Sequence, residues 1–403
     1  MTGPIVIVGA GQAGGWVAKT LRDKGYGGAL TLIGDEPHRP YERPPLSTAV
    51  LAGEAADDSV HLFAHDVFDG LDIDFRPNQT VRSIDRPRKQ VLLDDGAIPY
   101  DWLVLATGGR PRTLPMPEAV AGRVHTLRDL ADANALRATL RDGGHLTIIG
   151  GGWIGLEVAA TARKLGCEVT VIEAAPRLCS RAASELLSAY LLDLHRANGV
   201  DVRLDTSVTA LDERDAGIVC TLSDGRTLET DALLIGIGIV PNVELAEAAG
   251  LAIDNGIVVD AHGRTDDPSI FAVGDVAHRY SDLAGHHRRL ESWANAQNEG
   301  IAVGHALLDL DRPAEDIPWF WSDQHGTNIQ ILGTPPDNAT TIVRDGDGDH
   351  TCFYLVDGAL VGVHACNNPI AIRVATRLIT RGIPVTADQL ADPSVPLKSL
   401  LKS

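Results

Sequence analysis

The chain of 403 residues is short of several things. Aromatic residues make up 4 %, methionine occurs twice and cysteine five times. The cysteines, Cys167, Cys179, Cys220, Cys352 and Cys366, fall in no C-x-x-C or C-x-x-x-x-C spacing. That argues against a redox-active disulfide, a zinc site and a cysteine-ligated cluster, and buried structural thiols are the expectation. No apolar stretch approaches the ~20 residues that a membrane span needs. A strand pattern begins almost directly after Met1, leaving no room for a signal peptide, so a cytoplasmic protein is expected. Basic residues are outnumbered, 35 against 54 acidic, for a net charge of −19. This argues against a nucleic-acid partner and favours solubility. No Ser–His–Asp set and no metal-ligand spacing occurs, and no metal is expected.

What the chain does have is a glycine fingerprint, twice. Gly9-Ala10-Gly11-Gln12-Ala13-Gly14 follows the apolar run Ile5-Val6-Ile7-Val8, and Gly150-Gly151-Gly152-Trp153-Ile154-Gly155 follows Leu146-Thr147-Ile148-Ile149. In each, the first glycine suits a tight turn, the second lets backbone approach a pyrophosphate, and the third lets the following helix pack close. The helix N-terminus then offers unpaired N–H groups to phosphate. Two such sites in one chain suggest two dinucleotides, as electron transfer from a nicotinamide to a flavin requires.

Short apolar strands alternate with helical patterns through the first three quarters, which reads as α/β with parallel sheets. The first fingerprint opens a domain expected over 1–110 and 236–315, because Gly274-Asp275 looks like a late return to it. The second belongs to a domain over 111–235. From 316 to 403, strand-like runs between turns rich in Asp and Gly, then a helical segment, read as a separate α+β domain.

A carboxylate closing the strand after each fingerprint can accept hydrogen bonds from a ribose diol and repel a 2′-phosphate. Asp35 or Glu36 is placed to do so in the first copy, and Glu173 in the second, so NADH is expected over NADPH. Gly274-Asp275 and Ala106-Thr107-Gly108 each follow a strand, where small residues let the chain pass a cofactor.

The segments Pro40-Tyr41-Glu42-Arg43-Pro44-Pro45-Leu46-Ser47, His125-Thr126-Leu127-Arg128, Glu291-Ser292-Trp293-Ala294-Asn295-Ala296-Gln297 and Trp319-Phe320-Trp321-Ser322-Asp323-Gln324 carry a resemblance that runs end to end. The chain resembles the FAD-containing ferredoxin reductases of bacterial aromatic-ring dioxygenase systems. The resemblance implies a glutathione-reductase-like arrangement of two Rossmann-type domains plus an α+β C-terminal domain. It implies that FAD takes a hydride from NADH and passes single electrons to a [2Fe–2S] ferredoxin, either Rieske-type or of the plant or putidaredoxin type. It puts Gly9, Gly11, Gly14, Arg43, Val81, Ala106, Arg128, Asp275, Glu291, Ser292, Trp293 and Ala296 at FAD. It puts Gly152, Ile154, Glu157, Glu173, Arg181 and Gly236 at NADH, with Trp321 near the flavin ring.

One position departs from the pattern. Thr48 stands where relatives carry a lysine that pairs with the glutamate matching Glu157. An unpartnered carboxylate in a desolvated site has a raised pKa, and flavin reduction is expected to be harder here. Arg43 is one candidate substitute for the missing cation. For ferredoxin docking, Arg373, Arg377 and Arg381 recur at four-residue spacing and share a helix face, with Arg288-Arg289 as a candidate extension; an ordinary solvated face is the alternative. A reductase serving a haem-thiolate monooxygenase, and an NADH-sensing flavoprotein of the apoptosis-inducing-factor type, are competing readings.

Overall fold

The computed structural model describes residues 3–214, 217–345 and 350–402. Packing separates the chain into two compact units: 1–43, 57–110 and 239–316 form the first, and 44–56, 111–238 and 317–403 the second.

The first unit is built on a parallel sheet in the order Ile270–Ala272, Trp102–Leu105, Ile5–Val8, Leu30–Ile33, Asp74–Arg76. Its central strand is buried at all four positions, as a parallel strand covered on both faces must be. That is why it reads as an unbroken apolar run. The register aligns Val8 with Ile33 on one side and with Leu105 on the other, so three strands end together at Gly9, Gly34 and Ala106. The helix Gln12–Asp23 runs against Trp293–Leu307, and glycines make that approach possible. A Cβ on Gly300 would lie 2.8 Å from the Ala13 carbonyl oxygen, and one on Gly304 would lie 2.7 Å from Thr20 Cγ2.

The second unit repeats this plan with His145–Ile149 at the centre, flanked by Glu168–Ile172 and Ala232–Ile235, with Val200–Arg203 and Val124–His125 outermost. The outer strand beside Trp102–Leu105 comes from late in the chain, whereas the one beside Ala232–Ile235 comes from before the fingerprint. Pro44–Ala56, which lies within the sequence range of the first nucleotide fold, packs with the second unit. There Leu51 is fully buried in one cluster with Leu146 and Ile148.

Also in the second unit is an antiparallel sheet in the order Trp319–Gln324, Thr327–Gly333, Ala359–Cys366, His350–Val356, Thr340–Asp345. The helix Pro369–Arg381 buries Ala371, Ile372, Val374, Ala375 and Leu378 in the same cluster as Phe353 and Val363 of this sheet. All five cysteines are buried. Among the described residues no helix is long and apolar enough to cross a membrane.

Candidate functional site

The two fingerprints fold alike. Gly9 (φ +111°) and Gly150 (φ +109°) take a backbone conformation that L side chains rarely adopt. A Cβ on Gly9 would lie 2.2 Å from the Ala106 carbonyl oxygen, and one on Gly150 would lie 2.4 Å from that of Gly236. Gly14 and Gly155 pack on the same turn: their Cβ atoms would lie 2.0 Å and 2.2 Å from the carbonyl oxygens of Gly9 and Gly150. At Gly11 and Gly152 the reverse holds, and an added Cβ would meet no protein atom within 4 Å. These middle glycines therefore face space that a pyrophosphate can enter.

Helix capping makes the same point. Among the described α-helices of more than five residues, those beginning at Leu130, Glu185, Trp293 and Pro369 are each capped by a side chain, from Asp129, Ser184, Ser292 and Asn368. The two fingerprint helices, Gln12–Asp23 and Trp153–Lys164, begin at Gly11 and Gly152 with no side-chain cap. Their first N–H groups and the positive dipole end stay available for an anion. In the first unit, buried amide atoms of Gln12 and Gln297 have no hydrogen-bond partner among the described residues, and a polar ligand would satisfy them. These residues fit a dinucleotide in each unit.

The ribose ends differ. Glu173 accepts from the Gly151 N–H at 2.7 Å through Oε2 and from the Ala175 N–H at 2.8 Å through Oε1, so its carboxylate is anchored at the strand end. The equivalent position in the first copy is Gly34, where a Cβ would lie 2.7 Å from that of Ala10. The carboxylate is displaced along the loop instead. Asp35 is exposed, while Glu36 accepts from the Tyr41 hydroxyl and pairs with Arg43 at 2.8 Å. Arg43 is thus committed to Glu36, and its guanidinium lies over the Tyr41 ring.

Asn242, to which no sequence motif pointed, pins the crossing segment Ala106-Thr107-Gly108. Its side chain donates to the Thr107 carbonyl at 2.9 Å, and the Thr107 hydroxyl donates to its carbonyl at 2.8 Å. Val81 is buried in the first unit. Gly274 (φ +77°) gives its N–H to Glu299 at 2.8 Å, beside Asp275. Ser292 caps the helix that Trp293 opens and on which Ala296 is buried; Glu291 pairs with Arg289 at 2.5 Å. In the second unit Ile154 is 44 % exposed at the head of its helix, and a Cβ on Gly238 would lie 3.1 Å from the Arg181 guanidinium. Arg128 and Trp321, assigned to the flavin by resemblance, belong to this second unit; Trp321 stacks on Trp319 with ring centroids 5.0 Å apart.

Glu157 sits on the second fingerprint helix and is buried. Ser47 donates to its Oε2 and Ser322 to its Oε1, each at 2.5 Å. Thr48 turns back on its own turn, its hydroxyl donating to the Pro44 carbonyl. The residue before the lysine-to-threonine change, not a second cation, therefore meets Glu157. The contacts continue in one direction. Gln324 donates to Ser322 at 2.9 Å, His195 Nε2 lies 2.8 Å from the Gln324 oxygen, and His325 Nε2 lies 3.2 Å from His195 Nδ1. Burial holds His195 down at about 4, so it is neutral at physiological pH, with Nε2 donating and Nδ1 accepting. Every bond in the chain then points its proton toward Glu157.

Burial pushes the Glu157 carboxyl up to about 7, against the opposing effect of the two hydroxyls. A carboxyl raised in the fold binds its proton more tightly there than in the unfolded chain. Its contribution to stability is full below the unfolded value near 4.5 and is lost as pH rises through about 7. Glu157→Gln is expected to shrink the difference in unfolding free energy between about pH 5 and about pH 8 by about 3 kcal/mol, read by urea denaturation. An unchanged difference would mean that Glu157 is already ionised at the lower pH.

Comparison with known proteins decides the family. Residues 3–300 match the pyridine nucleotide-disulphide oxidoreductase model and residues 319–401 the reductase C-terminal model. The chain belongs to the pyridine nucleotide-disulphide oxidoreductase family. It is 43 % identical over 405 residues to the ferredoxin–NAD(+) reductase component of the anthranilate 1,2-dioxygenase system of Burkholderia cepacia, covering 99 % of each chain. It is 40 % identical to putidaredoxin reductase of Pseudomonas putida, covering 98 % of this chain and 96 % of the relative. The reductase in the crystal structure of the covalent putidaredoxin reductase–putidaredoxin complex matches with a TM-score of 0.94, at 40 % identity over 99 % of this chain and 98 % of that one. Members of this oxidoreductase family with these relatives use FAD and NADH, which agrees with a nucleotide cradle in each unit.

Proposed function

We propose that the chain is the NADH-oxidising reductase component of a ring-hydroxylating dioxygenase system, with a [2Fe–2S] ferredoxin as its electron acceptor. The pair of uncapped, glycine-lined cradles is the observation that carries this reading; full-length similarity to a dioxygenase-system reductase supports the choice of acceptor. FAD, when bound, accepts a hydride from NADH and returns the electrons singly. The protein's part is to bind and orient. Gly9, Gly11 and Gly14 shape the flavin cradle, with Gly274 and Asp275 at the late return. Gly150, Gly152 and Gly155 shape the nicotinamide cradle, and Glu173 selects the unphosphorylated ribose. Burial keeps a proton on Glu157 near neutrality, against the Ser47 and Ser322 hydroxyls, which favour the carboxylate. A cytoplasmic location is proposed with this reading, and the lack of a membrane-spanning helix among the described residues is compatible with it.

The acceptor is proposed to dock on the helix Pro369–Arg381, where Arg373, Arg377 and Arg381 are exposed and Ile370 adds an apolar spot 39 % exposed. On a chain of net charge −19, a basic stripe with an apolar residue at one end suits an acidic ferredoxin. Arg288 and Arg289 do not extend it: they are mostly buried in the first unit and pair with Glu315 and Glu291. Arg377→Glu is expected to raise the Michaelis constant for ferredoxin about tenfold while leaving ferricyanide reduction unchanged. Equal effects in both assays would place docking elsewhere.

A second reading, service to a haem-thiolate monooxygenase, is favoured by the 40 % identity to putidaredoxin reductase. Turnover with ferredoxins of both kinds tests the choice, since the cognate ferredoxin has the higher kcat/KM.

A further inference from the structure

We propose that His350, Cys352 and His364 form a binding site for zinc, remote in role from the nucleotide cradles. One ligand atom from each of the three lies within 4.8 Å of the others. The strand pairing explains how they meet. His350 and Cys352 are two apart on the strand His350–Val356 and so share a face, and His364 stands directly opposite Cys352 on Ala359–Cys366. Cys352 Sγ is 4.0 Å from His350 Nε2. Tetrahedral zinc, with Zn–S of about 2.3 Å and Zn–N of about 2.1 Å, sets such a pair about 3.6 Å apart. Small side-chain rotations therefore close the site.

His364 supplies the independent observation. It is 1 % exposed, and its Nε2 is buried with no hydrogen-bond partner among the described residues. Its other nitrogen, Nδ1, lies 2.7 Å from the Tyr354 hydroxyl. A buried imidazole held at one nitrogen and left open at the other is how a metal-ligating histidine is oriented. Buried polar atoms without partners are rare in native proteins, and a cation at this point would satisfy Nε2. Tyr190, from the helix Glu185–Ala197, stacks on His350 with centroids 5.0 Å apart and planes at 8°. A thiolate with two imidazoles is a donor set for a borderline ion such as zinc. Binding would ionise Cys352 and release its proton to solvent, tying two strands together beneath the tyrosine. The expectation from cysteine spacing was the absence of a zinc site. The ligands escape that reading because one of them arrives from the neighbouring strand.

The test uses the full-length FAD-loaded protein after removal of bound metal. Calorimetric titration with zinc should show one tight equivalent per chain. Titration with cobalt(II) should give a thiolate-to-cobalt charge-transfer band, seen as a difference spectrum over the flavin. Cys352→Ser and His350→Ala should each weaken zinc binding by about 100-fold, and Cys352→Ser should abolish the cobalt–thiolate band, with flavin content and ferricyanide reduction unchanged. His61→Ala/His65→Ala removes an exposed surface cluster with Asp58 and should leave the tight equivalent in place. The proposal is overturned if the unsubstituted protein shows no tight equivalent, if Cys352→Ser binds zinc equally well, or if only the His61/His65 variant loses binding.

Discussion

Glu173→Ala is expected to raise the Michaelis constant for NADH by about 10- to 100-fold and to narrow the preference for NADH over NADPH, with flavin content unchanged. The magnitude follows from hydrogen bonds to a charged acceptor, each worth about 1.5–3 kcal/mol. The carboxylate serves two purposes at once. Its oxygens accept from the Gly151 and Ala175 N–H groups at 2.7 Å and 2.8 Å, fixing the loop that faces the nucleotide. Its remaining lone pairs are proposed to accept from a ribose diol, and a charge at that point would repel a 2′-phosphate. Removing it loosens the loop, weakens the diol contact and lifts the repulsion. Steady-state kinetics with both nucleotides read all three effects. Unchanged constants for both would take Glu173 out of the binding site.

Gly14→Ala is expected to yield protein that purifies almost free of FAD, and Gly155→Ala protein that keeps FAD but is no longer reduced by NADH. The argument is steric and the same at both positions. A methyl group would sit 2.0 Å from the Gly9 carbonyl oxygen or 2.2 Å from that of Gly150. Real carbon–oxygen contacts do not approach so closely, and the obstacle is backbone, not the end of a flexible side chain. Each fingerprint helix would have to move off its turn, taking its N–H groups away from the phosphates they serve. The ratio of flavin to protein absorbance reports the first outcome and anaerobic mixing with NADH the second. Both variants failing identically would mean that the cradles are not assigned to separate nucleotides.

The sequence was legible where burial is two-sided. The runs Ile5–Val8 and Leu146–Ile149 announce central parallel strands because water reaches neither face, and the glycines after them have one conformational purpose. What stayed hidden was whatever depends on contacts distant in sequence. Ser47 and Ser322 look like ordinary hydroxyl residues until the fold sets both against Glu157, and charge logic at Thr48 points to a replacement cation where two hydroxyls meet the carboxylate. Asn242 carries no motif at all. The ribose carboxylate of the first copy also could not be fixed between Asp35 and Glu36, because Gly34 occupies the position that Glu173 holds in the second. Arg288 and Arg289 read as a basic pair in sequence and prove to be internally neutralised.

The measurement that bears most directly on the central claim is anaerobic stopped-flow mixing in two stages. FAD-loaded protein is first bleached by NADH and then mixed with an oxidised [2Fe–2S] ferredoxin of an oxygenase system. The account predicts that NADH bleaches the flavin and that ferredoxin restores its colour as the iron–sulfur centre is reduced, at a rate that saturates with ferredoxin. A flavin that bleaches with NADH but stays reduced in the presence of every ferredoxin tried would contradict it.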